Sequence, residues 1–224
     1  MSNVTKICIS CWLVFMPAST FADTPVHPFS YSVSSSNGKF IFVMVAPVSV
    51  EEDGSFMNDK DEVKAKTVRA KYTKSGLYLN DGSTAPLWTV DWYAPSTIIA
   101  ADGVHLVRQG FPPAESLDAE AITFFANGKE IRTYNVGDFI DTTLLIPRSA
   151  AYIYWFESMN LDDESQTATL TTSSMGKFVF DYTSGKIVSS RRPIIAGVVI
   201  GGVVVILALV ALIKRRSRVS KAAV

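Results

Sequence analysis

The chain has 224 residues, 21 basic and 21 acidic side chains, two histidines and two cysteines. The zero net charge hides a segregation: residues 23–190 hold all twenty-one anions but only thirteen cations, a formal charge of −8. Such a segment repels phosphate backbones, which excludes nucleic-acid binding. The only cysteines, Cys8 and Cys11, lie near the N-terminus, so the rest can have no disulfide, thiolate nucleophile or cysteine-ligated metal.

Residues 1–22 read as a signal peptide. Lys6 precedes an apolar run from Ile7 to Met16, Pro17 ends it, and Thr20-Phe21-Ala22 puts small residues at −3 and −1 of a cleavage site. Cys11, preceded by Cys8-Ile9-Ser10, lies too early for a lipoprotein site. His27 falls in a proline-flanked lead-in. The first strands are "FSYSVSS" and "KFIFVMVA", joined at Asn37-Gly38. In the second, Phe40, Phe42 and Met44 face one way and Ile41, Val43 and Val45 the other, which predicts a strand covered on both sides.

"EEDGSFMNDKDE" does not read as a calcium loop: with Gly54 as the loop glycine, Ser49 and Lys60 would occupy ligand positions that need carboxylates. From Asn58 the pattern turns helical, with Asn58 as N-cap, acids in the first turn, a Glu62–Lys66 pair, and Gly76 just past the end. Val63, Thr67 and Ala70 form a thin apolar stripe, so a surface helix resting on a sheet is expected.

Strands resume with "GLYL" and "LWTVDWY" across Asp81-Gly82, then "TIIAA" and "VHLVRQ" across Asp102-Gly103, and "AITFFA" and "KEIRTYN" across Asn127-Gly128. Asn-Gly and Asp-Gly suit type I′ turns, whose two central residues need φ > 0. Trp88, Val90 and Trp92 would share one strand face, with Tyr93 on the other. Packed inward they are core; exposed, Trp88, Trp92 and Tyr93 are a binding platform, since aromatics dominate recognition surfaces. His105 reads as a strand residue, and two histidines are too few for zinc. "VGDFID" suggests one helical turn. "AAYIYWFES" and "TATLTTS" are strands joined across "NLDDESQ", and "KFVFDY" and "KIVSS" follow across Ser184-Gly185.

Residues 193–213 are uncharged. At about 1.5 Å per residue they reach roughly 31 Å, enough to cross a hydrocarbon core of about 30 Å. Five cations in the tail 214–224 face two, Arg191 and Arg192, on the other flank, which orients the tail inward. Gly197 and Gly201 form a G-x-x-x-G, a spacing that permits close approach of two such helices and so a homodimer through the span. No cleavage motif for a sorting enzyme precedes Arg191.

The strings "SSSNGKFIFVM", "LNDGSTAPLWTVDWYA", "ADGVHLVRQG", "ITFFANGKEIRTYNVGDFID" and "FVFDYTSGKIV" resemble a family of uncharacterised exported bacterial proteins with a C-terminal membrane anchor. The resemblance implies an extracytoplasmic β-rich domain and no particular activity. "SNGKFIFV" and "FVFDYTSGKIV" are also similar to β-propeller blade hairpins.

The expected architecture is an all-β antiparallel domain over 23–190, sandwich-like or a twisted meander, with one surface helix and a single C-terminal transmembrane helix. A small β-propeller-like fold is the alternative. No phosphate-binding loop, nucleophile elbow or dinucleotide fingerprint occurs, and no cofactor is implied. The expected role is a single-pass protein of the bacterial plasma membrane. Its ectodomain would be a non-enzymatic binding or scaffold module for a protein or glycan. The alternative is a hydrolase using a carboxylate pair in a β cleft.

Overall fold

The computed structural model describes residues 28–47, 59–111, 114–143, 146–192, and 207, 209 and 210. The expected signal peptide over 1–22, His27, Asn58 and the acidic stretch before it, Gly197, Gly201 and residues 214–224 lie outside them. Leu207, Leu209 and Val210 are helical. Among the described residues no helix is long and apolar enough to cross a membrane.

The chain builds three antiparallel four-stranded sheets, and within each the strand order follows the chain order. Sheet 1 holds β1 (Tyr31–Ser34), β2 (Phe40–Met44), β3 (Gly76–Leu79) and β4 (Pro86–Thr89). Sheet 2 holds β5 (Ser96–Ile99), β6 (His105–Gln109), β7 (Glu120–Ala126) and β8 (Lys129–Asn135). Sheet 3 holds β9 (Phe156–Asp162), β10 (Thr167–Thr172), β11 (Lys177–Asp181) and β12 (Lys186–Arg191). One helix, α1 (Asp59–Lys71), lies between β2 and β3. The first strands of successive sheets are neighbours, β1 beside β5 and β5 beside β9.

Alternation along the strands stacks the sheets. Phe42, Met44 and Leu77 of sheet 1 meet Ile99, Leu106 and Phe125 of sheet 2 in one buried cluster. From the other face of sheet 2, Val107, Ile122 and Phe124 meet Met159, Leu170, Phe178 and Phe180 of sheet 3. The far face of sheet 1 carries Val43 and Tyr78, covered by Tyr72 and Val68 from the end of α1. β2 is therefore covered on both sides, in the alternation its sequence predicts. On β10, buried Ala168, Leu170 and Thr172 alternate with half-exposed Thr167, Thr169 and Thr171, which gives sheet 3 a polar outer face.

The helix departs from expectation in its face and its end. Val63 is 63% exposed, and the buried row is Ala65, Val68 and Tyr72 rather than Val63, Thr67 and Ala70. Tyr72 decides this: its ring lies 4.7 Å from that of Tyr78, and the residues four and seven positions before it turn inward with it. Gly76 does not cap the helix but opens β3, where a Cβ would meet the Trp88 carbonyl oxygen at 2.2 Å. The Glu62–Lys66 pair forms at 2.9 Å.

Of the five expected tight turns, only Asn127-Gly128 has φ > 0 at both residues, 49° and 76°. It joins β7 to β8 with Ala126 opposite Lys129. The other four place only their glycine in the left-handed region and close longer loops. "VGDFID" forms a 3-10 turn at Val136–Asp138. Two expected strands are shortened. β4 stops at Thr89, leaving Trp92 and Tyr93 in the following loop, and "AAYIYWFES" becomes strand only at Phe156. Before it, Ile153 bridges Ala114 and Arg148, and Trp155 is drawn inward to stack on Phe139 at 5.9 Å and 12°.

Candidate functional site

The loop after β4 borders an open surface groove. Trp88, Trp92 and Tyr93 are brought together with sheet 1, each half-buried. Trp88 lies 5.9 Å from Phe42, and its Nε1 donates to the Gly103 carbonyl at 3.1 Å. Trp92 stacks on Phe42 at 6.1 Å and 25° and meets Phe125 at 4.9 Å. Arg108 lies 4.8 Å from the Trp92 ring and holds Glu120 in a two-pronged pair at 2.9 and 2.6 Å. Its charge is thereby balanced within the fold. The Tyr93 hydroxyl accepts from the Phe29 N–H at 3.0 Å, and burial holds its pKa above the usual value against that bond.

With Trp88 and Trp92 turned toward Phe42, the residues between them border an open groove of about 630 Å³. It is lined by Thr89 at the end of β4 with Val90 and Asp91 of the loop that follows, by Thr73, Lys74 and Ser75 between α1 and β3, and by Val45 and Gly128. Thr73, Lys74, Thr89 and Asp91 are exposed, whereas the Ser75 hydroxyl is engaged, accepting from the Val45 N–H at 2.9 Å. Gly128 fits because it lacks a Cβ, which would stand 2.7 Å from the Thr89 carbonyl oxygen. The groove thus offers two hydroxyls, one ammonium and one carboxylate along a wall braced by the tryptophans. The aromatics expected as a platform pack against the core cluster, and the members of the same stretch that border the groove with exposed side chains are the small polar Thr89 and Asp91. The alternation pointed to them, yet the contributions of Thr73, Lys74 and Gly128 come from distant segments.

A second polar cluster lies where turns of all three sheets meet. Asp163, between β9 and β10, accepts from the Ala101 N–H at 2.7 Å, the Ser36 hydroxyl at 2.5 Å and the Tyr182 hydroxyl at 3.3 Å. Asn37 donates to the Ala101 carbonyl at 2.8 Å. Nearby, His105 Nδ1 is 2.6 Å from Asp102 Oδ2, while Asp102 Oδ1 accepts the Val104 and His105 N–H groups. Burial pushes the Asp102 carboxyl up, but the His105 ring and the two N–H donors outweigh it and hold it below the usual range. The Tyr182 phenol, 5.7 Å from the His105 ring, is pushed up to about 12 by burial and by Asp163 and Asp102. Protonated at neutral pH, it is the donor to Asp163. Both oxygens of Asp102 and of Asp163 already hold protein donors, so the cluster works as a clasp. Among the described residues no group of three or more histidine, cysteine and acidic side chains is placed to hold a metal ion.

No family model matches this chain, and no curated protein matches it.

Proposed function

We propose that the chain is a single-pass, membrane-tethered binding module, non-enzymatic, whose extracytoplasmic domain takes a polar, hydroxyl-bearing ligand in the groove beside β4. The groove carries this reading. Its volume falls in the usual range for ligand sites, and its exposed lining is Thr73, Lys74, Thr89 and Asp91. Paired donors and acceptors of both signs suit a glycan better than an anionic polymer, which the acidic domain would repel. The three meanders with adjacent first strands are read as an arc of propeller-like blades, a scaffold that presents loops rather than a catalytic cleft. Tethering is supported by the signal grammar of residues 1–22, the uncharged stretch 193–213 and the cation asymmetry around it.

The test is a glycan array probed with the detergent-solubilised full chain, with Asp91→Lys and Lys74→Glu compared. Binding by the wild type that both variants lose, with circular dichroism unchanged, is the expected result. Binding retained by both variants, or seen only on a peptide array, would refute the glycan groove.

A further inference from the structure

We infer that the ectodomain stands end-on on the outer lipid surface, with Phe111, Tyr154 and Met175 in the headgroup layer. This rests on the reading of residues 193–213 as a span and adds an orientation to it.

The meander topology gives the stack two ends. One carries the clasp: the turns β1–β2, β5–β6, β9–β10 and β11–β12 meet there through Asn37, Ala101, Asp163 and Tyr182. The β3–β4 turn joins them, since the Asn80 N–H donates to the Lys39 carbonyl at 2.9 Å. The chain leaves from the other end. β12 starts at the clasp and finishes at Arg191, which lies opposite Lys177 at the start of β11. Arg192 is fastened there by an ion pair with Asp141 and by the Asp138 carbonyl at 3.3 Å. The uncharged stretch begins at the next residue, Pro193. One residue of extended chain reaches only about 3.5 Å, so this end has no slack with which to stand away from the bilayer.

Three exposed large apolar side chains stand toward this end of the stack. Met175, 84% exposed, sits in the β10–β11 turn immediately before Lys177. Phe111, 49% exposed, follows β6 at the end where Glu120 pairs with Asn135, and Asn135 leads into the 3-10 turn that holds Arg192. Tyr154, 39% exposed, neighbours Trp155, whose carbonyl accepts the Ser173 N–H beside the Met175 turn. Tyrosine and phenylalanine rings sit well between headgroups and acyl chains, and methionine adapts to an irregular apolar surface. Met175 also holds φ = 65°, a conformation more costly for methionine than for glycine, at a turn tip that leaves its side chain largely exposed.

The test uses the full chain carrying Cys8→Ser and Cys11→Ser, reconstituted in phosphatidylcholine vesicles containing a headgroup-nitroxide lipid. One reporter dye is placed at Met175→Cys and, in a second sample, at Asp81→Cys in the β3–β4 turn. Protection of the tail from external protease reports insertion separately. In inserted chains the dye at 175 is expected to be quenched several-fold more strongly than the dye at 81. Equal quenching at the two sites in inserted chains would overturn the end-on orientation while leaving the anchor intact. A tail that is not protected would overturn the anchor, and the orientation with it.

Discussion

Asp163 accepts the backbone N–H of Ala101 at 2.7 Å, a bond that ties sheet 3 to sheet 2 across 62 residues of sequence. The same carboxylate takes the Ser36 hydroxyl from sheet 1 and the Tyr182 hydroxyl from its own sheet. Asp163→Ala leaves these donors without their acceptor, at a cost of about 1–3 kcal/mol, and Asp163→Asn should recover part of it. Thermal unfolding of the three proteins checks this. An alanine variant as stable as wild type would show that the sheets hold by their apolar clusters alone.

Gly128→Val should destabilise the domain by more than the roughly 1–3 kcal/mol that a forced left-handed residue costs. Two effects combine: φ = 76° disfavours a β-branched side chain, and a Cβ would stand 2.7 Å from the Thr89 carbonyl oxygen. Gly38→Val, where φ is 70° but a Cβ meets nothing within 4 Å, isolates the strain. Denaturant titration should rank Gly128→Val well below Gly38→Val. The reverse order would mean that the β7–β8 turn does not pack on β4.

The two valines on α1 should respond unequally to truncation. Val68→Ala removes packing against the tyrosine pair and should cost on the order of 1 kcal/mol, whereas Val63→Ala at an exposed site should stay within about 0.5 kcal/mol. Equal effects in denaturant midpoints would restore the stripe of Val63, Thr67 and Ala70.

Stability should fall in acid and in strong base, for separate reasons. Asp102, Asp162 and Asp181 all have carboxyls lowered from 3.8. At Asp162 and Asp181 the donors are the side chains and N–H groups of their own turns, Ser165 for the first and Thr183 and Ser184 for the second. A group whose folded pKa lies below its unfolded value contributes stability above the unfolded value and loses it as pH falls through the folded one, so the melting temperature should drop below about pH 4. Tyr182 and Tyr31 have phenols raised from 10.0, chiefly by burial. Their contribution is complete below pH 10 and is lost as pH rises from there through about 12 for Tyr182. Melting curves at fixed ionic strength from pH 3 to 11 check both limbs. In Tyr182→Phe the alkaline limb should be shallower.

Local grammar located most strands because each is bounded by a glycine turn and alternates visibly; "AITFFANGKEIRTYN" became β7, its turn and β8 within a residue. Reading failed where distant packing overrode the pattern. "AAYIYW" alternates like a strand, but Ile153 is claimed by Ala114 and Trp155 by Phe139, so no continuous partner is left for it. The buried face of α1 departs from its apolar spacing because Tyr72, one residue past the helix, sets its rotation through Tyr78. At the site, "LWTVDWY" announced itself by its aromatics, and the orientation of Trp92 follows from Phe42, Phe125 and Arg108, none of them local. The clasp left no trace in the sequence, since its residues stand in four turns whose meeting is a property of the stack.

Because strand order equals chain order in every sheet, each sheet closes through pairings between consecutive strands. Only sheet 1 contains a long excursion, the segment between Met44 and Gly76 that carries α1. A chain that emerges N-terminus first therefore presents its strands in the order of their pairings, and within the sheets β2 alone waits across a long segment for its next partner, β3. In that order sheet 1 would be complete before sheet 2 laid Leu106 and Phe125 against it, and sheet 3 would come last. The pairing of β11 with β12 would then be the last to form. A chain halted before β12 would lack one of the twelve described strands, and every other strand would already have a partner.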